Sequence, residues 1–505
     1  MFRAACLTKE NEAKVTSLAI NLSRHRRQIC SVFVLMKTER IRDPVHDLIT
    51  FDNSGLVDEF VWKLLKTPDL QRLRRIKQLG VSEFVFPSAS HSRFAHSVGV
   101  FHNARRLVKL IQREIGLKRV EGIFNVERAK VALFAALLHD IGHGPFSHAF
   151  EEARKALAAE RGEPSSTKAK IRKHETFTAD MIEDSASEIR YILELAGVQA
   201  GEVADLIRAE TPTDMYHAVV SSSFDADRLD YLVRDRYMTG TGAGAIDLEW
   251  LMDNVRVAEV DFSPPGPDSA DHIYEHSFCL GYKARDAAED FLLARYRLYT
   301  NVYFHKTTRG IEQLVSAFFR FVAREIAASQ SVTGLPDDHQ LVRFFLPGGE
   351  TTANYRSLDD AVVWGALHAI AASGTGPAKE IATRILNRGK PICLDVQQSF
   401  PEDAERQRRL KHRLDATFKN RLGESVFRDA TKLSIYGEIG ADDGRAQKRL
   451  MIQMSDDNLK EITDFKDATI ADSGRQRSFE RYYFLNDSEY KMAENTIDSI
   501  KGRRA

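Results

Sequence analysis

Cysteine is scarce in this sequence, which has four of these residues in 505. They stand at positions 6, 30, 279 and 393, and no two of them form a C-x-x-C pair. This spacing excludes a disulfide framework. It suits a reducing compartment, and we therefore expect the protein to be cytoplasmic.

An excess of charge and long apolar runs are also missing. The 72 Lys and Arg residues balance the 72 Asp and Glu residues, so the net charge gives no reason to expect nucleic acid or an acidic membrane as a partner, although local basic patches stay open. The longest apolar candidate, residues 29–36, falls well short of the roughly 18 residues that span a bilayer. No small-residue cleavage site follows it, so we interpret residues 1–35 as an N-terminal extension rather than a signal peptide.

The pattern along the chain predicts a mainly α protein with a smaller mixed α/β region. Apolar residues recur at helical spacing from residue 57 to about 260 and again from 284 to about 329. "RIRDPVHDLITFD" resembles a short strand pair or a turn, and "KLSIYGEI", "KRLMIQM" and "RYYFLND" resemble strands. A chain of 505 residues is too long to fold around one ordinary hydrophobic core, so we expect two or three domains. We divide the chain into the extension over 1–35, a helical domain over 36–329 and a mixed α/β region over 330–505.

The stretch "LLHDIGHGPFSHAF", residues 137–150, ends an apolar run with three histidines and an aspartate. Charged groups at the end of a buried helix are costly unless they are paired or bind a metal ion. His139 and Asp140 project about 100° apart on a helix, so both can lean toward one ion. An imidazole with a carboxylate suits Zn²⁺, Mn²⁺ or Fe²⁺ better than Ca²⁺.

Further ligands must come from elsewhere, because two groups do not hold a divalent ion. "SRFAHSVGVFHNA" offers His96 on a predicted helix. "SSSFDADRLDYLVRD" offers Asp225, Asp227, Asp230 and Asp235, again at helical spacing. A lone histidine on a helix is usually an ordinary core or surface group. The prediction of a metal site therefore depends on the whole ordered set of histidines and aspartates.

A histidine, then His-Asp, then a distant aspartate is the metal pattern of the HD phosphohydrolase superfamily. Four blocks together resemble the deoxynucleoside triphosphate triphosphohydrolases, and the subgroup with the vertebrate enzyme that carries SAM and HD domains is nearest. The resemblance runs from about residue 40 to 314, with no SAM-type domain ahead of it and a C-terminal region that is only loosely similar. The blocks are "TPDLQRLRRIKQLGVSEFVFPSASHSRFAHSVGV", "LLHDIGHGPFSHAFE", "KHE" and "DADRLDYLVRD".

The resemblance implies a helical HD-domain enzyme that hydrolyses dNTPs to deoxynucleosides and inorganic triphosphate. It implies a divalent ion, whether Mn, Fe, Zn or Mg, and four ligands for that ion. These ligands would be His96, His139, Asp140 and Asp227.

A catalytic group is implied beside the metal. His143 and His174 would act with Glu151, and His148 would contact the phosphate chain. The family more often has an aspartate at position 151, so the carboxylate here has a longer arm. As an alternative, "PFSHAF" is ordinary helix-capping chemistry with Ser147 as the N-cap.

The implied substrate contacts comprise cations for the triphosphate and polar or aromatic groups for the nucleoside. Tyr231 packed against the sugar would exclude a 2′-hydroxyl. For Arg295 a solvated surface charge, and for Tyr303 a core aromatic residue, remain equally good interpretations. The cations are Arg93, Arg228, Arg295 and Lys306, and the nucleoside contacts are Gln78 and Asp235 for the ribose hydroxyl, Tyr231 beneath the sugar and Tyr303 near the base.

Regulation and assembly follow from the same resemblance. An activator nucleotide would bind between subunits of a homo-oligomer, expected to be a tetramer built from dimers. Lys66 stands where the vertebrate relative reads guanine through an acidic residue, and a lysine cannot accept hydrogen bonds from guanine. Gln71 and Arg74 remain available for such a contact. Aromatic and arginine residues, which are enriched at interfaces, concentrate over 294–321, although a buried core helix has the same pattern.

Two other functions stay open. One is hydrolysis of a different phosphoester, such as a nucleotide monophosphate or a guanosine alarmone. The other is a non-catalytic nucleotide sensor or a binder of single-stranded nucleic acid. "DADRLDYLVRD" favours the triphosphohydrolase, and a pure binder has no need to keep both the ligands and His143.

Overall fold

The computed structural model describes residues 37–502 with internal gaps, and it is mainly helical, as the sequence predicts. The gaps are residue 53, 163–172, 210–213, 243–244, 263–273, 329–333, 436, 439–448, 456–457, 469 and 471–476. The extension predicted over residues 1–35 lies outside the described residues. No helix in the described ranges combines the length and the apolar character that a membrane crossing requires.

The helices ahead of residue 330 form the larger part of the molecule. They are α1 (Asp58–Leu64), α2 (Pro68–Arg72), α3 (Arg93–Gly116), α4 (Val126–Leu138), α5 (His148–Glu160), α6 (His174–Glu183), α7 (Glu188–Leu195), α8 (Ala200–Arg208), α9 (Ala226–Thr239), α10 (Leu248–Asn254), α11 (Arg285–Leu298) and α12 (Lys306–Ala327). Short 3-10 turns lie at Leu73–Arg75, Ser82–Phe84, His217–Val219, Tyr282–Ala284 and Ile462–Asp464, and a π-turn lies at Tyr299–Tyr303.

The C-terminal part mixes shorter helices with strands. Its helices are α13 (Gln340–Phe345), α14 (Thr352–Arg356), α15 (Asp360–Ser373), α16 (Gly376–Leu386), α17 (Val396–Ser399), α18 (Ala404–Thr417) and α19 (Asp487–Lys501). The strands among the described residues are β1 (Glu39–Asp43), β2 (Asp47–Phe51), β3 (Val255–Asp261), β4 (Tyr274–Gly281), β5 (Ile392–Asp395), β6 (Val426–Ser434), β7 (Gly437–Glu438), β8 (Met451–Ser455), β9 (Asn458–Glu461) and β10 (Arg477–Phe484).

Three small sheets hold these strands. β1 and β2 form an antiparallel pair where the sequence predicted a strand pair or a turn, and the other two sheets have the orders β3-β4-β8-β9 and β5-β10-β6-β7. β8 and β10 confirm the strands predicted from "KRLMIQM" and "RYYFLND", while "KLSIYGEI" is shared between β6 and β7. The prediction of helical structure as far as residue 260 is wrong, because the last helix before that residue, α10, ends at Asn254. The valine-rich run "VRVAEVD" that follows pairs with β4, as suits β-branched residues.

Two of the helices that lead to the site begin with side-chain caps. Ser92 accepts a hydrogen bond from the Ala95 backbone at the start of α3, and Asn125 accepts one from Arg128 at the start of α4. Residues 131–138 of α4 are all buried, so this helix runs through the core. It ends at Leu138, one residue before the His-Asp pair, which places that pair where a buried helix opens into a loop.

Apolar packing joins segments from both sides of residue 330. Tyr355 is fully buried in the main core and stacks on Phe177 of α6 with a centroid distance of 3.7 Å. A second apolar cluster, with Leu394, Leu410 and Phe484, lies between β5, β10 and the last two helices. The domain boundary at residue 329 stays a prediction.

Candidate metal-dependent active site

Four side chains from three helices meet at one point. His96 lies in the first turn of α3 and Asp227 in the first turn of α9, while His139 and Asp140 follow the end of α4. His96 Nε2 lies 2.9 Å from Asp227 Oδ1 and 3.9 Å from Asp140 Oδ2. His139 Nε2 lies 3.2 Å from Asp140 Oδ1 and 3.9 Å from Asp227 Oδ1. The four residues predicted as metal ligands are therefore brought together.

The donor chemistry of this cluster fits a divalent metal ion. His139 Nδ1 donates to the Ala136 carbonyl at 2.9 Å, which leaves Nε2 with its lone pair directed toward the carboxylates. This Nε2 is buried and has no hydrogen-bond partner among the described residues. Ligand atoms of His96, His139 and Asp140 all lie within 4.8 Å of one another. Imidazole nitrogen with carboxylate oxygen is the donor set that Mn²⁺, Fe²⁺ and Zn²⁺ accept.

The electrostatics of the cluster favour a bound positive charge. Burial lowers the pKa of His96, but hydrogen bonds to Asp227 and Asp230 outweigh burial and raise this pKa to about 10. Burial also works against ionisation of Asp140, yet Arg93 and the adjacent histidines hold the pKa of this carboxyl well below its usual range. A proton or a metal ion between these groups is therefore stabilised.

A buried network lies behind His96 and fixes its orientation. Its Nδ1 donates to Asp230 Oδ2 at 2.7 Å, and His46 donates to Asp230 Oδ1 at 2.6 Å. Arg234 donates from Nε to Asp230 Oδ2 at 2.8 Å and from Nη1 to Asp43 Oδ2 at 2.8 Å. A carboxylate that accepts from one imidazole nitrogen directs the other nitrogen toward a metal.

Sequence reasoning named Asp230 as a candidate ligand but missed this supporting role. The available signal was its position three residues after Asp227 on one helical face, with Arg234 four residues further on. His46 lies 184 residues from Asp230 in the chain, and no local pattern connects them. The approach of α3 to this carboxylate requires Gly99, because a Cβ there would lie 1.9 Å from Asp230 Oδ1.

The residues predicted as the catalytic group also come together beside the cluster. The imidazole rings of His143 and His174 stack with a centroid distance of 3.8 Å and an angle of 20°. His143 Nε2 lies 3.3 Å from Asp140 Oδ1, and His174 Nδ1 lies 3.0 Å from Glu151 Oε1. His148 is at the rim, because its side chain is 70% exposed and its Nδ1 lies 3.8 Å from Glu151 Oε2.

The two stacked imidazoles have opposite charge preferences. Burial, with help from Arg93 and His174, lowers the pKa of His143 well below its usual value. Burial also lowers the pKa of His174, but the hydrogen bond to Glu151 and the negative charges of Glu175, Glu151 and Asp140 together outweigh burial and raise this pKa. The pKa of Glu151 falls far below its usual value, because the hydrogen bonds and charges of His148 and His174 together exceed the opposing effect of burial. The surroundings of His174 thus favour its charged form beside Glu151, whereas those of His143 favour the neutral form.

The alternative interpretation, in which the Ser147 side chain caps α5, is wrong. Ser147 stands at the N-cap position of α5, but its side chain makes no capping hydrogen bond. Its Oγ instead accepts from Arg93 Nε at 3.0 Å and Nη2 at 2.8 Å, and Arg93 Nη1 donates to Asp140 Oδ2 at 2.5 Å. Arg93, predicted as a phosphate cation, therefore lies against the ligand cluster.

Three residues predicted for the nucleoside lie near one another. Tyr303 Oη donates to Asp235 Oδ2 at 2.6 Å, and His91 Nε2 donates to Asp235 Oδ1 at 2.8 Å. The Gln78 backbone N–H donates to the His91 carbonyl at 2.9 Å, and Gln78 Oε1 is a buried acceptor with no partner in the described part of the chain. His91 was not predicted, since a histidine amid serines carries no motif.

The remaining predicted cations differ in their surroundings. Arg228 is buried and donates to the Ser222 carbonyl at 2.6 Å and to the Asp225 carboxylate. Arg295 is also buried, with its guanidinium 5.7 Å from the centre of the Tyr299 ring, so it is not a solvated surface charge. Lys306 is exposed at the first residue of α12. The partly buried Tyr231, on the same face of α9 as Asp227, packs against the main core.

Comparison with known proteins gives independent information about the chain. Residues 93–235 match the HD domain, and residues 270–361 match the HD associated region. The uncharacterized protein YwfO of Bacillus subtilis is 31% identical over 331 residues, which are 65% of this chain and 65% of that protein. The deoxynucleoside triphosphate triphosphohydrolase SAMHD1 homolog of Dictyostelium discoideum is 30% identical over 278 residues, which are 52% of this chain and 46% of that protein. A solved structure of a phosphohydrolase from Bacteroides thetaiotaomicron has the same fold, with a TM-score of 0.66 at 23% identity over 89% of this chain and 100% of that one.

The matched regions contain the site just described. The HD match begins at Arg93 and ends at Asp235, so it includes the four residues predicted as ligands and the stacked imidazoles. The chain spans 65% of YwfO and 46% of the Dictyostelium protein. The chain therefore contains an HD domain followed by an HD associated region, and it is similar to HD-domain phosphohydrolases, among them a deoxynucleoside triphosphate triphosphohydrolase.

Proposed function

We propose that this chain is a metal-dependent deoxynucleoside triphosphate triphosphohydrolase, which releases deoxynucleoside and inorganic triphosphate. The observation that carries the proposal is the arrangement along α9. Asp227, Tyr231 and Asp235 recur every four residues on one face, so the residues that would serve as metal ligand, sugar contact and hydroxyl acceptor lie in a row. The named Dictyostelium relative supports the same substrate class.

His96, His139, Asp140 and Asp227 would hold the divalent ion. When bound, such an ion polarises a phosphoryl oxygen and lowers the pKa of water, which are the two requirements for hydrolysis of a phosphoester at neutral pH. The side chain of Asp227 is 38% exposed, whereas that of His96 is 1% exposed. The cluster is therefore buried on the side of His96 and open on the side of Asp227, where substrate would enter.

The protein's own groups would supply the proton that the leaving group needs. Attack of water on the α-phosphorus breaks the bond to the 5′ oxygen, and that oxygen must take up a proton as the deoxynucleoside departs. His174 is suited to donate it, because Glu151 accepts from Nδ1 and leaves Nε2 free to deliver a proton. His143 stacks on His174 and its Nε2 lies 3.3 Å from Asp140 Oδ1, so it would position the donor relative to the ligand cluster.

Charge and shape would select the substrate. Arg93, Arg228, Arg295 and Lys306 would neutralise the triphosphate, with His148 at the open rim. Gln78 Oε1, an unpaired buried acceptor among the described residues, suits a sugar hydroxyl donor. Tyr231 would exclude the 2′-hydroxyl of ribonucleotides, and Tyr303 would lie near the base.

Product analysis tests this proposal directly. Purified protein, with its metal content measured, is incubated with each of the four dNTPs and four NTPs, and the phosphate products are separated by anion exchange. We expect triphosphate and deoxynucleoside from dNTPs and little reaction with NTPs. Release of orthophosphate, monophosphate or pyrophosphate instead would contradict the proposal and favour another phosphoester.

A further inference from the structure

The loop between α4 and α5 has a costly backbone conformation. Two consecutive non-glycine residues, Phe146 and Ser147, have φ angles of 52° and 48°. Side chains with a Cβ disfavour this left-handed region, and such strain persists only where the surroundings hold it in place. The same loop carries His143 and leads directly into His148. The residues that hold this loop are therefore of functional interest.

Asp360, at the end of the HD associated region, holds one side of the loop. Its Oδ1 accepts from the Phe146 backbone N–H at 2.8 Å, and its Oδ2 accepts from the Lys77 N–H at 2.9 Å. Asp360 is 3% exposed, and these donors lie 214 and 283 residues away in the chain. Asp360 does not cap α15, because its neighbour Asp359 accepts from the Val362 N–H at 3.0 Å and supplies the cap.

Tyr355 and Arg72 hold the other side. Tyr355 Oη donates to the Gly142 carbonyl at 2.8 Å. The buried guanidinium of Arg72 donates to the His143 carbonyl at 2.7 Å. It also donates to the carbonyl of Leu358, in the HD associated region, at 2.7 Å. These bonds connect the loop to residues 355–360 at both ends, on either side of the His143 side chain.

We propose that Tyr355, Leu358 and Asp360 of the HD associated region act as a positioning clamp, which holds the loop over 141–147 and thereby fixes His143 against Asp140 and His174. Its catalytic consequence rests on the proposed function, whereas its structural consequence does not. The clamp residues contact backbone groups of the loop and do not touch the reacting atoms, so they are positioning residues. The HD associated region thus contributes to the geometry of the active site.

Hydrogen–deuterium exchange tests the clamp without any substrate. Asp360→Asn keeps the size of the side chain but directs an amide donor toward a backbone donor, so one of the two bonds is lost. We expect peptides covering residues 141–148 to exchange roughly tenfold faster, as loss of one buried hydrogen bond implies. Asp359→Asn is the matched control, equally buried and adjacent, and it should leave exchange in these peptides unchanged.

Kinetics test the catalytic consequence. In Asp360→Asn we expect kcat to fall roughly 10- to 100-fold with KM and metal content unchanged, because misplacement by about 1 Å has this effect. Tyr355→Phe removes only the hydroxyl bond to Gly142, folds with its stacking intact, and should reproduce both effects more weakly.

Unchanged exchange over 141–148 in both Asp360→Asn and Tyr355→Phe would overturn the clamp, as would an equal effect of Asp359→Asn. If wild-type protein hydrolyses no dNTP while exchange responds as expected, the proposed function fails and the clamp stands. If exchange responds but kcat does not, the positioning role is refuted.

Discussion

At the scale of single residues, the ligand cluster depends on each of its members. Asp140 lies within 3.9 Å of His96, His139, His143 and Arg93, so it connects the residues predicted as metal ligands, the stacked imidazoles and the arginine predicted to contact phosphate. We expect Asp140→Ala and His139→Ala to abolish both bound metal and turnover, since ligands act as one unit. Elemental analysis of the purified variants measures this, and about one ion per chain in either variant would show that the centre lies elsewhere.

His143 should behave differently from the ligands. It lies 3.3 Å from Asp140 and stacks on His174, so its removal disturbs the proton donor but leaves the four ligands in place. We expect His143→Ala to retain its metal and lose roughly 10²–10⁴ in kcat. His148→Ala, at the exposed rim, should mainly raise KM. Loss of metal in His143→Ala would reassign this residue as a ligand.

Substitution of Asp230 tests whether the hydrogen-bond network behind His96 contributes to metal binding. Its carboxylate accepts from His96, His46 and Arg234, and without it the tautomer and orientation of His96 are no longer fixed. We expect Asp230→Asn to weaken metal affinity roughly 10- to 100-fold in a chelator competition titration. Glu114→Gln, at the far end of α3, is the control, because Glu114 is equally buried and pairs with arginine. Equal affinities of wild type and Asp230→Asn would show that the network has no part in metal binding.

At the scale of elements, the contact between α15 and the active-site loop should depend on pH. Burial raises the pKa of Asp360 from 3.8 to about 6, against the effect of its two backbone hydrogen bonds. Between these values the folded chain holds a proton that the unfolded chain has lost, so stability falls as the pH rises through this window and is level above it. The whole shift corresponds to about 3 kcal/mol.

Denaturant titrations of wild type and Asp360→Asn between pH 4 and pH 8 measure this effect. The difference between the two proteins isolates Asp360 from the other titrating groups. We expect the free energy of unfolding of the wild type, relative to the variant, to decrease from pH 4 to about pH 6 and then stay constant. A difference that is independent of pH would show that Asp360 titrates normally.

At the scale of the whole molecule, assembly stays a prediction with less support than the sequence suggested. Phe318 and Phe319, within the aromatic stretch over 294–321, are fully buried, and Phe319 packs on Phe150 with a centroid distance of 4.8 Å. These residues belong to the core of the chain and are not available to an interface.

Lys66 determines which nucleotide dependence we expect for assembly. It is exposed, with its ammonium 5.5 Å from the Trp62 ring, and offers no acceptor for a guanine base. We expect a homo-oligomer, as a tetramer, that forms without GTP or that responds to a different nucleotide. Light scattering of nucleotide-free protein, then with GTP and with each dNTP, measures this. A monomer under all conditions would refute the assembly, and assembly only with GTP would refute the consequence assigned to Lys66.

The sequence by itself determined the parts of this protein that local patterns encode. Helical spacing and a His-Asp pair after a buried run identified His139 and Asp140, and the family pattern added His96 and Asp227. The sequence placed the His-Asp pair at the end of a buried helix, and α4 does end at Leu138. The helix predicted through residue 260 failed, because pairing with β4 over Val255–Asp261 outweighs a local helical pattern.

Only the tertiary structure decided which distant groups support the site. His46 reaches Asp230, and Asp360 reaches the Phe146 backbone, across 184 and 214 residues. Such partners have no spacing rule, since a buried carboxylate needs donors at hydrogen-bond distance and any segment that the fold delivers can supply them. Short sequence motifs therefore predict the chemical groups of the site. The long-range hydrogen bonds that hold these groups in place depend on the tertiary fold, which no single segment encodes.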